Sequence, residues 1–75
     1  MEEIGSVPLV HGGSTWMTHR VVRFKGQIYA VWSETEQQGC QLVLLQDDLL
    51  RYENGVYVYG GVVNPSQSLI VPNAE

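Results

Sequence analysis

The sequence predicts an all-β domain on three observations. Short runs of β-branched and aromatic residues recur along the chain, and glycine-containing turn signals separate them. No stretch shows the 3.6-residue apolar period of a long amphipathic helix. The 75 residues leave room for one core only. We therefore predict a small five- or six-stranded barrel or a strongly bent antiparallel sheet.

The first half of the chain is predicted as an arm followed by three strands. Residues 1–14 contain one proline and three glycines, which predict an irregular N-terminal arm with at most one short strand, over Val7–Val10. Lys25-Gly26 is placed to form a tight hairpin turn, and the polar residues 33–39 predict a loop. The three expected strands are Thr18–Phe24, Gln27–Trp32 and Gln41–Leu45.

Residues 46–55 support two interpretations. In the first, Asn54-Gly55 forms a type I′ turn between strands Leu49–Glu53 and Val56–Gly60. In the second, Asp47 caps a two-turn helix that Gly55 ends, so that one short helical turn lies near 47–53. The hairpin is favoured because the strand after Gly55 needs a partner close by.

The remaining residues complete a single domain. Gly60-Gly61 predicts a sharp bend, Asn64-Pro65 another turn, and Leu69–Val71 a last short strand. We expect one β domain over 15–72, followed by a tail at 73–75. In strand count and size this architecture is SH3-like, and the likeness extends no further.

The charge balance disfavours nucleic acid as a partner. Four Lys and Arg residues against eight Asp and Glu residues give a net charge of −4, whereas binding a phosphate backbone requires many cations. Arg20, Arg23 and Lys25 form only a local basic patch. The acidic residues are dispersed, which predicts solvated loops and ends.

Cysteine usage and hydropathy predict a cytoplasmic location. Cys40 is the single cysteine, so no intrachain disulfide is possible and a reducing compartment is expected. The sequence shows no signal-peptide pattern, and its longest aliphatic run, Leu42–Leu45, is too short to span a membrane. We expect no contact with a membrane.

Motifs for catalysis or for cofactor binding are weak. His11 and His19 have no partners at metal-ligand spacing, so no metal site is predicted. Residues 11–14, His-Gly-Gly-Ser, are similar to the glycine-rich oxyanion loop of esterases, but the nucleophile elbow is missing. Asp47 and Asp48 are adjacent, as solvated loop acids often are. We predict no catalytic residue, metal or cofactor, and an enzyme would need a site shared between subunits.

Both faces of the first hairpin are apolar. With a two-residue turn at Lys25-Gly26, residues directly opposite each other share a face. The first face carries Val22, Phe24, Tyr29 and Val31, and the second carries Val21, Ile28, Ala30 and Trp32. One small core cannot enclose all of these side chains, so we expect a homo-oligomer, most simply a two-fold dimer, or a protein partner.

The second hairpin groups tyrosines on one face. An Asn54-Gly55 turn places Tyr52 opposite Tyr57 and Leu50 opposite Tyr59. We predict an interaction surface made by aromatic and aliphatic residues of both hairpins: Leu50, Tyr52, Tyr57, Tyr59, Ile28 and Trp32. Alternatively, the tyrosines line the core and keep their hydroxyls at its rim.

Three functions compete on this evidence. The first is a small cytoplasmic interaction or accessory protein that self-associates or docks on a larger partner. The second is a ligand-binding module that stacks a flat small molecule or a sugar on tyrosine and tryptophan. The third is an oligomeric enzyme with an inter-subunit site. A flat apolar patch would favour the first function, and a concave pocket with a few convergent polar groups the second.

Overall fold

A computed structural model describes residues 1–11 and 15–72. The chain is all-β in these ranges, and its only helical segments are two 3₁₀ turns, Asp47–Leu49 and Pro65–Gln67. The strands in chain order are β1 (Glu2–His11), β2 (Thr15–Phe24), β3 (Gln27–Thr35), β4 (Gly39–Leu45), β5 (Leu50–Glu53), β6 (Val56–Tyr59) and β7 (Ser68–Val71).

The strands form two antiparallel sheets. Five strands pair in the order β1-β2-β3-β4-β7, and β5 and β6 form a separate hairpin. The five described strands of the larger sheet do not close into a barrel, so the predicted barrel and its SH3-like character stay unconfirmed. The architecture is an open sheet with a two-stranded hairpin packed beside it.

Both predicted hairpin turns are confirmed. Lys25 and Gly26 have φ angles of 52° and 79°, and Asn54 and Gly55 have φ angles of 53° and 88°, as a type I′ turn requires at its two central positions. The first turn sets Phe24 opposite Gln27, so the predicted register of this hairpin is confirmed. Because such turns fix register locally, these contacts could be read from sequence.

The N-terminal segment is a strand, so the prediction of an irregular arm is wrong for Glu2–His11. β1 pairs with β2 over its whole length, with a bulge between Glu3 and Gly5. Pro8 is tolerated in this strand because β1 lies at an edge of the sheet, where one side of the backbone needs no ladder partner. Residues 12–14 and the predicted tail at 73–75 lie outside the described residues.

Residues 47–53 combine a short helical turn with a strand. Asp47–Leu49 form a single 3₁₀ turn, and β5 follows directly at Leu50. The strand pairs with β6 so that Tyr52 lies opposite Tyr57, which confirms the hairpin interpretation. A two-turn helix ending at Gly55 is wrong, because the hairpin leaves only three residues for helical backbone.

The larger sheet has a covered face, which we call the hairpin face. Its buried side chains form one cluster: Val7, Leu9, Val21, Ala30 and Leu45. Leu50, Tyr57 and Tyr59 of the β5–β6 hairpin pack against this cluster. Burial of these apolar side chains on both sides of the contact holds the hairpin to the sheet.

The opposite face, which we call the open face, has its own buried cluster: Val22, Val31, Cys40 and Leu42. The side chains packed against this cluster, Phe24, Tyr29 and Val71, all come from strands of the same sheet. A flat sheet could not bury Leu42 completely in this way. The open-face cluster thus draws its side chains from β2, β3, β4 and β7 of the one sheet.

Side-chain hydrogen bonds from Gln41 tie the last strand to the sheet. The Gln41 amide Nε2 donates to the Ser68 hydroxyl at 2.9 Å and to the Pro65 carbonyl at 3.3 Å, and the Ser33 hydroxyl donates to Gln41 Oε1 at 3.0 Å. The Asn64 side chain accepts from the Ser66 backbone N–H and caps the turn that leads into β7. β7 thus enters the sheet in a fixed position.

Close backbone packing at Gly39 allows the position of β7 in the sheet to be tested. A Cβ on Gly39 would overlap the Val71 carbonyl oxygen, and the Gly39 φ angle is 96°. We expect Gly39→Ala to destabilise the fold by more than about 3 kcal/mol, because overpacking against backbone adds to the strain of a positive φ angle.

Gly55→Ala is the matched control, because Gly55 also has a positive φ angle but nothing lies within 4 Å of an added Cβ. This variant should lose only about 1–2 kcal/mol of unfolding free energy. Urea denaturation measures both variants. Equal losses would show that β7 does not lie against Gly39.

Candidate interaction surfaces

The predicted interaction surface lies mainly where the two sheets meet. Ile28, Trp32, Leu50, Tyr57 and Tyr59 are each half-buried and pack against the hairpin-face cluster. Their packing therefore holds the hairpin against the sheet. Their predicted role in binding a partner stays a prediction.

Tyr52 differs from the other members of that predicted surface. Its side chain is 65% exposed, and its ring meets that of Tyr57 edge to face, with the centroids 5.0 Å apart. This aromatic contact is worth about 1 kcal/mol. Tyr52 is the one residue of the six that a partner could reach over most of its surface.

Tyr57 lies directly on β1 because residue 5 is glycine. A Cβ at Gly5 would lie 2.7 Å from Tyr57 Cε2, closer than any ordinary carbon contact, and the Gly5 φ angle is 156°. The β-bulge beside Gly5 shifts the pairing register of β1 and β2 at this point. The ring and the glycine thus form the contact that sets the position of the second hairpin.

Tyr59 links the hairpin to the chain that precedes it. The Gln46 backbone N–H donates to the Tyr59 hydroxyl oxygen at 3.1 Å, while the ring packs on the hairpin-face cluster. This arrangement matches the alternative in which tyrosines line the core with hydroxyls at the rim.

His19 and Trp32 lie just beyond the last paired residues of β2 and β3. The paired residues of β2 and β3 end at Val21 and Ala30, and the pairing register of β3 with β4 shifts between Val31 and Ser33. The buried His19 ring stacks on Trp32 with centroids 4.7 Å apart, and its Nδ1–H donates to the Val31 carbonyl at 2.9 Å. His19 therefore serves packing at the bulge.

Ion pairs occupy most of the predicted basic patch. Arg20 contacts Glu34 and lies 3.6 Å from Glu3, and Arg23 lies 3.8 Å from Glu2. These side chains are about half exposed, so each pair contributes at most about 1 kcal/mol. Two of the three cations of the patch are thus already matched by carboxylates.

Cys40 has the surroundings of an unreactive thiol. Burial raises the pKa of the Cys40 thiol, and the neighbouring Glu34 carboxylate raises it further. The thiolate is the nucleophilic form, so this environment disfavours nucleophilic chemistry at neutral pH. Cys40 instead contributes to the buried cluster of the open face.

The described residues bring together no set of metal ligands. No group of three or more His, Cys, Asp and Glu side chains in residues 1–11 and 15–72 is arranged to hold a metal ion. Asp47 and Asp48 lie exposed in the first 3₁₀ turn. Most of the His-Gly-Gly-Ser segment at 11–14 lies outside the described residues.

A groove along the β1 edge was missed by the sequence analysis. Its volume is about 360 Å³, within the usual range for ligand pockets. Trp16 and Val62 on its wall are 64% and 95% exposed. Pro8, Val10 and Tyr59 also line it. Trp16, which lies between Thr15 and Met17 at the start of β2, was the one sequence signal for this site.

A second exposed apolar patch lies at the opposite edge of the sheet. Leu69 and Ile70 of β7 are 41% and 50% exposed, and Leu44 on the adjacent strand β4 is also exposed. Leu69 pairs with Leu42 and shares its face, so it lies at the rim of the open-face cluster. We call Leu44, Leu69 and Ile70 the β7 patch.

The geometry of these two patches carries the functional argument, since no family model, curated protein or solved structure matches the chain. Neither helical turn of the described ranges has the length and apolar character needed to cross a membrane. The patches differ in kind, because the first is a concave groove and the second is a strand edge with flanking side chains.

Truncation of the two paired tyrosines tests the docking of the hairpin. Tyr57→Ala should lower the unfolding free energy by about 3 kcal/mol, because the ring packs between β1 and the hairpin-face cluster. The control Tyr52→Ala should lose only about 1 kcal/mol, because it removes an exposed ring and one aromatic contact. Chemical denaturation measures both losses, and equal stability of the two variants would contradict the docked position of Tyr57.

Proposed function

We propose that this chain is a small protein-interaction module that self-associates or docks on a larger partner through an apolar part of its sheet. The observation that carries the proposal is the β7 patch at the edge of the sheet, where Leu44 and Leu69 are exposed on the open face and Ile70 is exposed on the other face. A contiguous apolar patch beside a strand edge is typical of a protein interface. The lone cysteine supports placing this module in the cytoplasm.

The distribution of charge also supports an interface in this region. No charged residue occurs between Glu53 and Glu75 in the sequence, although the chain carries a net charge of −4. Cores of protein interfaces are depleted in charged residues. Residues 54–74 therefore set no like charges of their own against each other when two copies of an acidic chain approach through them.

A ligand-binding function is the second candidate, and the β1 groove favours it. Trp16 and Tyr59 both line the groove, and a flat small molecule or a sugar could stack on such side chains. Its lining residues carry no charge: Pro8, Leu9, Val10, Trp16, Tyr59, Gly61, Val62 and Val63. If the addition of such a molecule quenches tryptophan fluorescence, the result would support this function provided that Trp16→Phe abolishes the quenching and Trp32→Phe preserves it.

Light scattering over a range of concentrations tests self-association. We expect a mass of twice 8.4 kDa at high micromolar concentration, with dissociation on dilution, because a short strand and a few aliphatic side chains form a small interface. A mass of 8.4 kDa throughout this range would contradict self-association. Docking on a larger protein would then be the surviving form of the proposal.

A further inference from the structure

The outer edge of β7 has no partner strand among the described residues, where β7 pairs on one side only, with β4. β7 is short, at four residues, and Pro72 follows it. Its own residues, Ser68–Val71, include no charge and no proline, two of the features by which natural edge strands prevent pairing with other chains. On the outer side, alternate residues present backbone N–H and C=O groups that can accept another strand.

The opposite edge of the sheet is protected. β1 contains Pro8, which has no N–H to donate, and the bulge between Glu3 and Gly5 interrupts its regular geometry. Tyr57 of β6 packs over Gly5 beside this edge. Of the two outer edges, β7 is therefore the one suited to accept a strand.

Space for an added strand exists beside β7. A cavity of about 470 Å³ lies between the Phe24-Lys25 end of the first hairpin and the residues 69–72. Lys25 is the one charged residue that lines this gap. Leu69 and Ile70 flank the gap on opposite faces of the sheet, so side chains of an incoming strand would find apolar contacts on both faces.

We propose that β7 pairs antiparallel with β7 of a second copy of this chain, which joins two five-stranded sheets into one continuous sheet. This inference rests on the proposed function and assigns it a surface and a partner. Pairing of β7 with itself uses the same edge on both copies and closes after two subunits. Pairing of β7 with β1 would instead build an open-ended fibre, and the protected β1 edge prevents it.

The charge pattern selects a second copy as the partner. Two identical strands meet about a two-fold axis, so any charged side chain near the axis would face its own copy. β7 and the fourteen residues before it, 54–67, carry no charged side chain, whereas every other strand except β6 either contains a charged side chain or pairs with neighbours on both sides. β7 itself therefore sets no like charges against each other, and Lys25 is the one charged residue that lines the adjoining cavity.

Added charge at the β7 edge tests the inference. The double variant Leu69→Lys and Ile70→Lys should weaken dimerisation at least tenfold, because four ammonium groups would meet at the interface. The matched control is Met17→Lys with Val56→Lys, since these side chains are 50% and 45% exposed and the variant adds the same charge. The control should dimerise within about twofold of the parent, as analytical ultracentrifugation would measure, because surface substitutions have small effects.

The outcomes separate this inference from the proposed function. If the parent dimerises and the β7 variant dimerises equally well, β7 pairing is wrong while self-association stands. If the control alone loses dimerisation, the same conclusion follows and the interface lies elsewhere. A parent that stays monomeric would overturn both self-association and β7 pairing.

Hydrogen exchange of the unmodified protein gives an independent readout should the β7 variant fail to fold. Alternate amides of Ser68–Val71 should exchange rapidly in dilute solution and slowly in concentrated solution, because they become bonded only in the dimer. Exchange that does not depend on concentration, in a protein that dimerises, would overturn β7 pairing. If the β7 amides are protected only when a different protein is present, the partner is a strand of that protein. This result would also overturn the pairing of β7 with β7 of a second copy.

Discussion

The contact between Tyr57 and Gly5 determines how the rest of the chain is arranged. It sets the β5–β6 hairpin beside β1, and the hairpin then covers the cluster that includes Val7 and Leu9. The hairpin covers this face, and among the described residues the side chains that bury Leu42 on the other face come from strands of the sheet itself. The exposed edge and side chains of β7 are a consequence of this division.

Features fixed by neighbouring residues could be predicted from the sequence. The two type I′ turns, at Lys25-Gly26 and Asn54-Gly55, set the register of both hairpins, because such turns specify pairing over a few residues. The apolar character of both faces was also evident from the strand sequences. The sequence analysis took this character to mean that one small core could not enclose these side chains, whereas the structure buries Val21, Val22, Ala30 and Val31 within one chain, in two clusters.

Features set by distant contacts could not be predicted. β1 contains Pro8 and a glycine, which are turn signals locally, and it becomes a strand because β2 offers a partner along its length. The sequence left open whether Tyr57 and Tyr59 lie in the core or at an interaction surface, because their environment depends on where the hairpin docks. The β1 groove joins β1 and β2 to residues 59–63, far away in sequence, so Trp16 was a local signal for one wall of it and no local pattern could indicate the rest.

Nuclear Overhauser contacts between Gly5 and Tyr57 test the central claim most directly. In solution, the Gly5 Hα protons should show cross-peaks to the Tyr57 ring and ring-current shifts, because the ring lies against the glycine. The Tyr29 ring, which packs in the open-face cluster on the other side of the sheet, should give no cross-peak to Gly5. Cross-peaks within the β5–β6 hairpin without any between Gly5 and Tyr57 would contradict the account, because the hairpin would then form without docking on β1.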